Sequence, residues 1–444
     1  MFDLLEKSHD ILGINARILT YMRPSNSLRA IRIADNKLLS KKILEKNGLP
    51  VLQTYSIIKE IQELKTFNWT NLPSTFTLKP NRGLGGEGIM ILFGRKKKYP
   101  YPWIKADKKL VEIKDLENHV LNILEGTFSL TNLSDIAFFE ERVKLLKLLK
   151  PYCYRGIPDI RIIVYNSVPI MAEMRLPTKE SNGKANLHLG GIGVGIDMGT
   201  GVTTTAIQNN RLIEYVPGTR LPLRGIQIPY WKESLRLAIQ AQQITKIGFL
   251  GIDIAIDREK GPVILELNAR PGLSIQIANL SPLDERLRRV KGLKTKTVNQ
   301  GVQIAQNLFG GQVEEELEEI SGRKVIGINE PIEILDWQKE RHLTSAKVDT
   351  GAYRTTICEN LAKELGINEI IGHKKVRGAL GGEERAIINL SFVLDKRLVI
   401  SEAFMADRTE MKYDIIVGRK DLKRFLVDPA KNVFMRSKQA IKKI

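Results

Sequence analysis

Three side chains in the stretch FLGIDIAIDREKGPVILELNARPG, residues 249–272, are of the types and spacing that hold a divalent cation: Asp253, Glu266 and Asn268. The stretch reads as two short apolar strands rich in Val, Ile and Leu. Arg258, Glu259, Lys260 and Gly261 supply the polar break between them. On a strand Glu266 and Asn268, two apart, point to one face. A hairpin symmetric about Glu259 and Lys260 sets Asp253 opposite Glu266. The result is a hard, oxygen-only ligand set suited to Mg²⁺ or Mn²⁺, of the kind that substrate phosphates complete. Arg270, just beyond, is within reach of a phosphate oxygen. A hairpin whose polar residues simply mark its solvent end satisfies the same pattern.

A second feature that could handle phosphate lies upstream in TLKPNRGLGGEGIMIL, residues 77–92. It reads as strand, glycine-rich turn, strand. Gly83, Gly85, Gly86 and Gly88 let backbone amides close over an anion, and Lys79 ends the first strand. No GxxxxGK[ST] is present, so this is neither a P-loop nor a dinucleotide-binding turn. A plain glycine-rich hairpin is the alternative.

The elements that must position these groups can be read in outline. Residues 1–34 look helical and partly basic. In ADNKLLSKKILEKNGLP the apolar positions Leu38, Leu39, Ile43 and Leu44 form one helical stripe, which Gly48 and Pro50 end. Residues 105–150, rich in Leu and Lys, read as helical. Residues 158–177 alternate like two antiparallel strands carrying Asp159, Arg161 and Arg175. A helix is expected at about 230–246. DMGTG, at 197–201, is like the phosphate loop of sugar kinases, but no second half of such a fold is visible. The acidic run VEEELEEISG, residues 313–322, marks a domain boundary, and short Val/Ile-rich runs with Gly turns follow it as in a small β domain.

Composition sets broad limits. A chain of 444 residues predicts two or three domains. The net charge of +19 favours anionic partners, namely nucleotide, acidic peptide, RNA or a membrane surface, without choosing among them. Arg95–Lys98 with nearby aromatics reads as a solvated loop, so nucleic acid is not expected as a partner. No apolar run is long enough to span a bilayer, and the N-terminus lacks the pattern of a secretory signal. Two cysteines, Cys153 and Cys358, argue for a reducing compartment and a cytoplasmic location. With five His and no HExxH or CxxC, no zinc site of the usual spacing is expected.

Taken in order, these motifs resemble the ATP-grasp superfamily, and within it the RimK-like α-L-glutamate ligases, over about residues 30–312. The ordered matches are DNK (35–37), LKP with the glycine loop, EERV (140–143), DIR (159–161), an arginine on the next strand, NLHLGG (186–191) and D…ELN. The resemblance implies an α+β ATP-grasp fold with ATP between two β-rich subdomains. It implies phosphate contacts from Lys37 and Lys79 under the glycine loop. Glu141, Arg142 and Val143 would form a hinge beside adenine, with Asp159 on the ribose and Asn186 on phosphate or metal. Asp253, Glu266 and Asn268 would bind Mg²⁺. The long segment 95–136 departs from the family pattern. The implied chemistry needs no protein nucleophile: a carboxylate takes the γ-phosphoryl group of ATP, and an amine then displaces phosphate. Arg161, Arg175 and Arg270 are the groups expected to face the acyl phosphate and the incoming acid, an acidic amino acid or peptide.

Residues 323–444 carry a second resemblance. AKVDTGAYRTTI (346–357) is similar to the active-site loop of retropepsin-like aspartic proteases, and YDIIVGRKDL (413–422) to the segment that packs behind it. VRGALGGEERAI (376–387) reads as a flap, and FLVDPAKN (425–432) fits the RimB-like group of that fold. This implies a small all-β barrel in which Asp349 is half of an acid dyad, two carboxylates sharing one proton. With one Asp-Thr-Gly per chain, peptidase activity requires a homodimer through this domain. The alternative is a scaffold protein whose C-terminal domain serves only dimerisation or peptide binding.

Overall fold

The computed structural model describes residues 11–83, 85–97, 101–129, 133–311, 318, 321–378, 381–429 and 431. The chain divides into two compact units, Met1–Val313 and Glu314–Ile444. The acidic run 313–322 lies mostly outside the described residues.

Unit 1 opens with a helical run over residues 14–25, followed by α1 (Leu28–Ala34) and α2 (Lys37–Lys46). Local chemistry fixes where α2 starts. The Asn36 side chain accepts from the Leu39 amide at 2.8 Å, an N-cap that satisfies one of the free amides of the first turn. Strands β1 (Thr54–Ile58), β2 (Phe76–Pro80) and β3 (Met90–Leu92) come next. A small ribbon of β4 (Gly94–Arg95), β5 (Trp103–Ile104) and β6 (Leu110–Val111) follows, then α3 (Ile113–Leu124) and β7 (Ala137–Glu140). The first sheet has the order β1-β7-β2-β3.

Here the structure corrects the helical expectation for residues 105–150, among whose described residues only α3 is an α-helix of any length. Leu and Lys content alone suggested helix, but Ala137–Glu140 carries two adjacent phenylalanines. They suit a strand buried on both faces, and the segment is the second strand of the sheet, between β1 and β2.

The larger sheet is built from β8 (Asp159–Tyr165), β9 (Val168–Leu176), β10 (Ile192–Ile196), β11 (Thr203–Gln208), β12 (Arg211–Ile213), β13 (Phe249–Asp257) and β14 (Gly261–Asn268). Its order is β12-β11-β10-β9-β8-β13-β14. Every residue of β13 is buried, as expected for a strand with neighbours on both sides. Helix α4 (Trp231–Thr245) turns Leu235, Ala238, Ile239 and Gln242 inward at helical spacing. After β14 come α5 (Ser274–Ala278), α6 (Leu283–Val290) and α7 (Val298–Phe309). DMGTG forms the turn from β10 to β11. Asp197 Oδ1 accepts from the Thr200 amide and hydroxyl at 2.7 and 2.8 Å, which is turn chemistry and not a phosphate loop.

Unit 2 comprises β15 (Lys324–Ile326), β16 (Asn329–Leu335), β17 (Arg341–Asp349), β18 (Thr356–Cys358), α8 (Glu359–Glu364), β19 (Ile370–Gly378), β20 (Gly381–Leu394), β21 (Arg397–Ala406), β22 (Ile415–Gly418) and β23 (Phe425–Val427). Strands β16-β17-β22-β18-β21-β20 close into a barrel because β20 also pairs with β16. Ile332, Ile334, Val348, Ile357, Leu390, Phe392 and Val417 fill its interior. Strands β19 and β20 form the expected hairpin, whose tip, residues 379 and 380, lies outside the described residues.

Candidate active site

The β13–β14 hairpin has the predicted register: Asp253 lies opposite Glu266. One extra residue, Leu265, is accommodated by a bulge just beyond that pair. Across the next strands Asp253 is in register with Arg161, and Arg161 with Glu173. Residues directly opposite in an antiparallel pair share a face. Glu173, Arg161, Asp253 and Glu266 therefore form one row across β9, β8, β13 and β14. Arg175 and Asp159 lie beside it, themselves in register.

This row is knitted by charge. Arg161 donates through Nε and Nη2 to the two oxygens of Asp253, each at 2.8 Å. Arg175 donates through Nε and Nη2 to Asp159 at 2.6 and 2.8 Å, and Nη2 also reaches Asp253 Oδ2 at 2.8 Å. Asn268 Nδ2 donates to the same oxygen at 3.2 Å. Burial raises the Asp253 carboxyl, but Arg161 and Arg175 outweigh it and bring the pKa down to about 2. Burial raises Asp159 to about 6 against the pull of Arg175. It raises Glu173 to about 7, again opposed by Arg175 and Arg161.

The glycine loop meets this face. Gly85, Gly86 and Gly88 all have positive φ, a conformation that side chains with a Cβ rarely adopt. Asn81 Oδ1 accepts from the Leu38 amide at 2.9 Å and so pins the loop to the first turn of α2. Lys37, first residue of α2, donates to the Gly83 carbonyl at 2.8 Å and stands 3.0 Å from Glu266 Oε1. It therefore joins the glycine loop to β14. Asn186 Nδ2 donates to the Gly85 carbonyl at 3.3 Å. Lys79 pairs with Glu140, which also accepts from Lys41 Nζ at 2.7 Å. Burial raises the Glu140 carboxyl, but Lys79 and Lys41 hold it below the ordinary carboxylate range, so the group is an anion between two ammoniums.

Glu141, Arg142 and Val143 lie between the two sheets. The Glu141 amide donates to the Gln53 carbonyl at 2.8 Å and its carboxylate pairs with Lys260. The Arg142 guanidinium lies 4.8 Å from the Phe93 ring centre. Val143 packs with Leu52, Ala255 and Val263. The space between Lys37, Lys41, Lys79, Glu140 and Glu266 is only about 20 Å³, room for about one water. Anything larger enters there only if the lysine–glutamate pairs part.

Two expectations change in this geometry. Arg270 does not join the arginine cluster; it pairs with Asp35 in a half-exposed position at the entrance to α2. Asp253 is not an open ligand, because both its oxygens already accept from guanidinium groups. The donor set still fits Mg²⁺ in type, since a cation, the Lys37 ammonium, already sits against Glu266, and Asn268 is half-exposed two residues along the strand. Ligation by Asp253 would require one guanidinium contact to open.

Sequence reasoning passed over Lys41, Glu140 and Glu173. Lys41 is four residues from Lys37, hence on the same helix face. Glu140 directly precedes Glu141, Arg142 and Val143. Glu173 interrupts an apolar strand two residues before Arg175, which was its signal.

In unit 2 Asp349 ends β17, in parallel register with Gly418 on β22. Its Oδ1 accepts from the amides of Gly351 and Ala352 at 2.8 and 3.2 Å, closing the tight turn. Asp336, Glu340 and His342 bring candidate ligand atoms within 4.8 Å of one another. Asp336 is engaged in holding the β16–β17 turn, accepting from the amides of Gln338 and Glu340.

Residues 16–292, more than half of the chain, match the family described as sugar-transfer associated ATP-grasp. The chain belongs to that ATP-grasp family. No curated protein matches it. Among solved structures, the ATP-grasp ligase PsnB complexed with minimal precursor is similar at 14% identity, covering 60% of this chain and 62% of that one, with a TM-score of 0.32. The D-alanine–D-alanine ligase from Bacillus anthracis complexed with ATP is similar at 15% identity over 64% and 69%, TM-score 0.33. The Simian Foamy Virus protease is similar at 19% identity over 21% and 90%, TM-score 0.17. This ATP-grasp chain thus spans less than two thirds of the PsnB chain.

Proposed function

We propose that unit 1 is an ATP- and Mg²⁺-dependent carboxylate–amine ligase that forms an amide through an acyl phosphate. The observation that carries this is the union of three parts by Lys37: glycine loop, α2 and the Glu266 strand, set beside a half-buried arginine pair. Lys37 and Lys79 would hold the phosphates under the amides of the glycine loop. Glu266 and Asn268, with Asp253, would hold Mg²⁺, which when bound neutralises the phosphate charge. The substrate carboxylate attacks the γ-phosphorus and ADP leaves. The amine then attacks the acyl carbon and inorganic phosphate leaves. Arg161 and Arg175, oriented by Asp253 and Asp159, would face the acyl phosphate. Such positioned charge is the main source of rate when no covalent enzyme intermediate forms. The acid or amine added is of the glutamate type, on a small acid or peptide.

We extend the reading to unit 2 as one half of a retropepsin-like peptidase that trims or recognises the product. Asp349 in its tight turn supports this, and activity would need two chains to bring two such carboxylates together.

Purified protein is incubated with ATP, Mg²⁺ and each amino acid in turn, and phosphate release is measured beside Glu266→Ala. Release that depends on one amino acid and vanishes in the variant supports the ligase. Failure to bind ATP at all refutes it and favours a scaffold. For unit 2, product profiles of wild type and Asp349→Asn are compared; identical profiles refute trimming.

A further inference from the structure

One surface of unit 1 takes no part in this site. Residues 11–34 contain Arg17, Arg23, Arg29 and Arg32 and not one Asp or Glu. The same stretch leaves Leu28 75% and Leu19 58% exposed, with Ile14 also open to solvent. Tyr21, Met22, Ala30 and Ile33 are buried on the other side. The stretch is therefore a well-packed helical layer that turns a second set of large aliphatic side chains outward.

The layer is fastened to the segment after β14. The Leu12 amide donates to Gln276 Oε1, and Gln276 Nε2 donates back to the Leu12 carbonyl, each at 3.0 Å. Arg17 Nη1 donates to the Pro271 carbonyl at 2.7 Å, and the Tyr21 hydroxyl to Asp284 Oδ1 at 2.5 Å. The adjoining residues 277–296 expose Ile277, Leu280 and Leu293. They carry six Arg and Lys against Asp284 and Glu285. Asp284 is engaged by Tyr21 and by Arg288 at 3.1 Å. Arg286 is buried, so over both segments nine basic residues stand against two acidic ones, beside exposed aliphatic side chains.

We infer that this face docks on the surface of an anionic lipid bilayer. Aliphatic side chains enter the boundary between headgroups and acyl chains while arginines pair with lipid phosphates, the arrangement of interfacial helices. Among the described residues no helix is long and apolar enough to cross a membrane, so the contact is peripheral. A second copy does not fit, because a two-fold contact would set one strongly positive surface against another. RNA would answer the arginines but not the aliphatic residues, since single strands are gripped by aromatic stacking and the described residues of the face expose no aromatic side chain.

The full chain is sedimented with vesicles of two parts phosphatidylcholine to one part phosphatidylglycerol, and with phosphatidylcholine alone. Binding is expected only to the anionic vesicles. Leu19→Asn with Leu28→Asn should weaken it by about tenfold or more. Arg29→Gln and Arg32→Gln should weaken it by about fivefold each. Unchanged melting of these variants shows that the fold is retained. Absence of sedimentation with anionic vesicles overturns the inference. So does binding indifferent to the leucine pair, which would mark adsorption by charge alone, or RNA binding by this face without vesicle binding. A chain lacking residues 1–10 that binds vesicles when the full chain does not would instead make that segment the occupant of the face.

Discussion

Replacing Glu173 by Gln should stabilise unit 1 at neutral and alkaline pH, against the usual outcome for a buried polar substitution. In the row across the large sheet, Arg161 and Arg175 are already balanced by Asp159 and Asp253, so an ionised Glu173 is surplus charge. Its Oε2 is buried without a hydrogen-bond partner and the residue is 1% exposed. Burial lifts its pKa from 4.5 to about 7. The sign follows from proton binding. Below about pH 4.5 both folded and unfolded chains are protonated and the group contributes nothing. Between about 4.5 and 7 the unfolded chain releases a proton that the folded chain keeps, so stability falls as pH rises. Above 7 both states are ionised and the folded state carries the full cost, about 3 kcal/mol at the limit of 1.36 kcal/mol per unit. Gln keeps the shape and cannot ionise. The variant should match wild type at pH 4 and exceed it by about 1–3 kcal/mol at pH 8, a rise in melting temperature of several degrees. Urea unfolding followed by the buried Trp69, Trp103 and Trp231 reads the difference. A variant less stable than wild type at pH 8 would show that the ionised Glu173 supports the arginines instead of costing stability, and would refute the prediction.

Three further outcomes follow from the same geometry. Glu140→Gln leaves Lys41 and Lys79 facing each other without their shared anion and should cost about 3 kcal/mol in urea unfolding; a loss under about 0.5 kcal/mol would mean that the ammoniums are solvated. Lys37→Ala removes the ammonium that joins Gly83 to Glu266, and ATP-dependent phosphate release should fall by about a hundredfold with little change in melting. Gly418→Ala would place a Cβ 2.4 Å from the Arg354 carbonyl carbon. It should lower the stability of unit 2 by about 2–3 kcal/mol while leaving nucleotide binding by unit 1 untouched, as calorimetry with and without ATP can test.

Much of unit 1 was legible in the sequence because the signals are local. Apolar runs with a polar break fixed the β13–β14 hairpin, but Asp257 pairs with Gly261 across the turn, and it is the bulge at Leu265 that brings Asp253 opposite Glu266. The stripe Leu38, Leu39, Ile43 and Leu44, ended by Gly48 and Pro50, gave α2. Strand alternation over residues 158–177 gave the two antiparallel strands that carry Asp159, Arg161 and Arg175. Where local composition misled, as between residues 105 and 150, two phenylalanines destined for the middle of a sheet outweighed helix-favouring neighbours.

The sequence by itself determined the strands, the glycine turn and the residue types that can bind phosphate and metal, because periods of two and 3.6 and turn chemistry act over a few residues. Only the tertiary structure decided which charge meets which. That Asp253 is held by Arg161 and Arg175, that Glu140 lies between Lys41 and Lys79, and that Arg270 turns away to Asp35 depend on the strand order β9-β8-β13-β14 and on the seating of α2 against the glycine loop. These contacts join residues tens to hundreds of positions apart. Their energies are set by burial and by the sum of neighbouring charges, which exist only once the sheet has assembled.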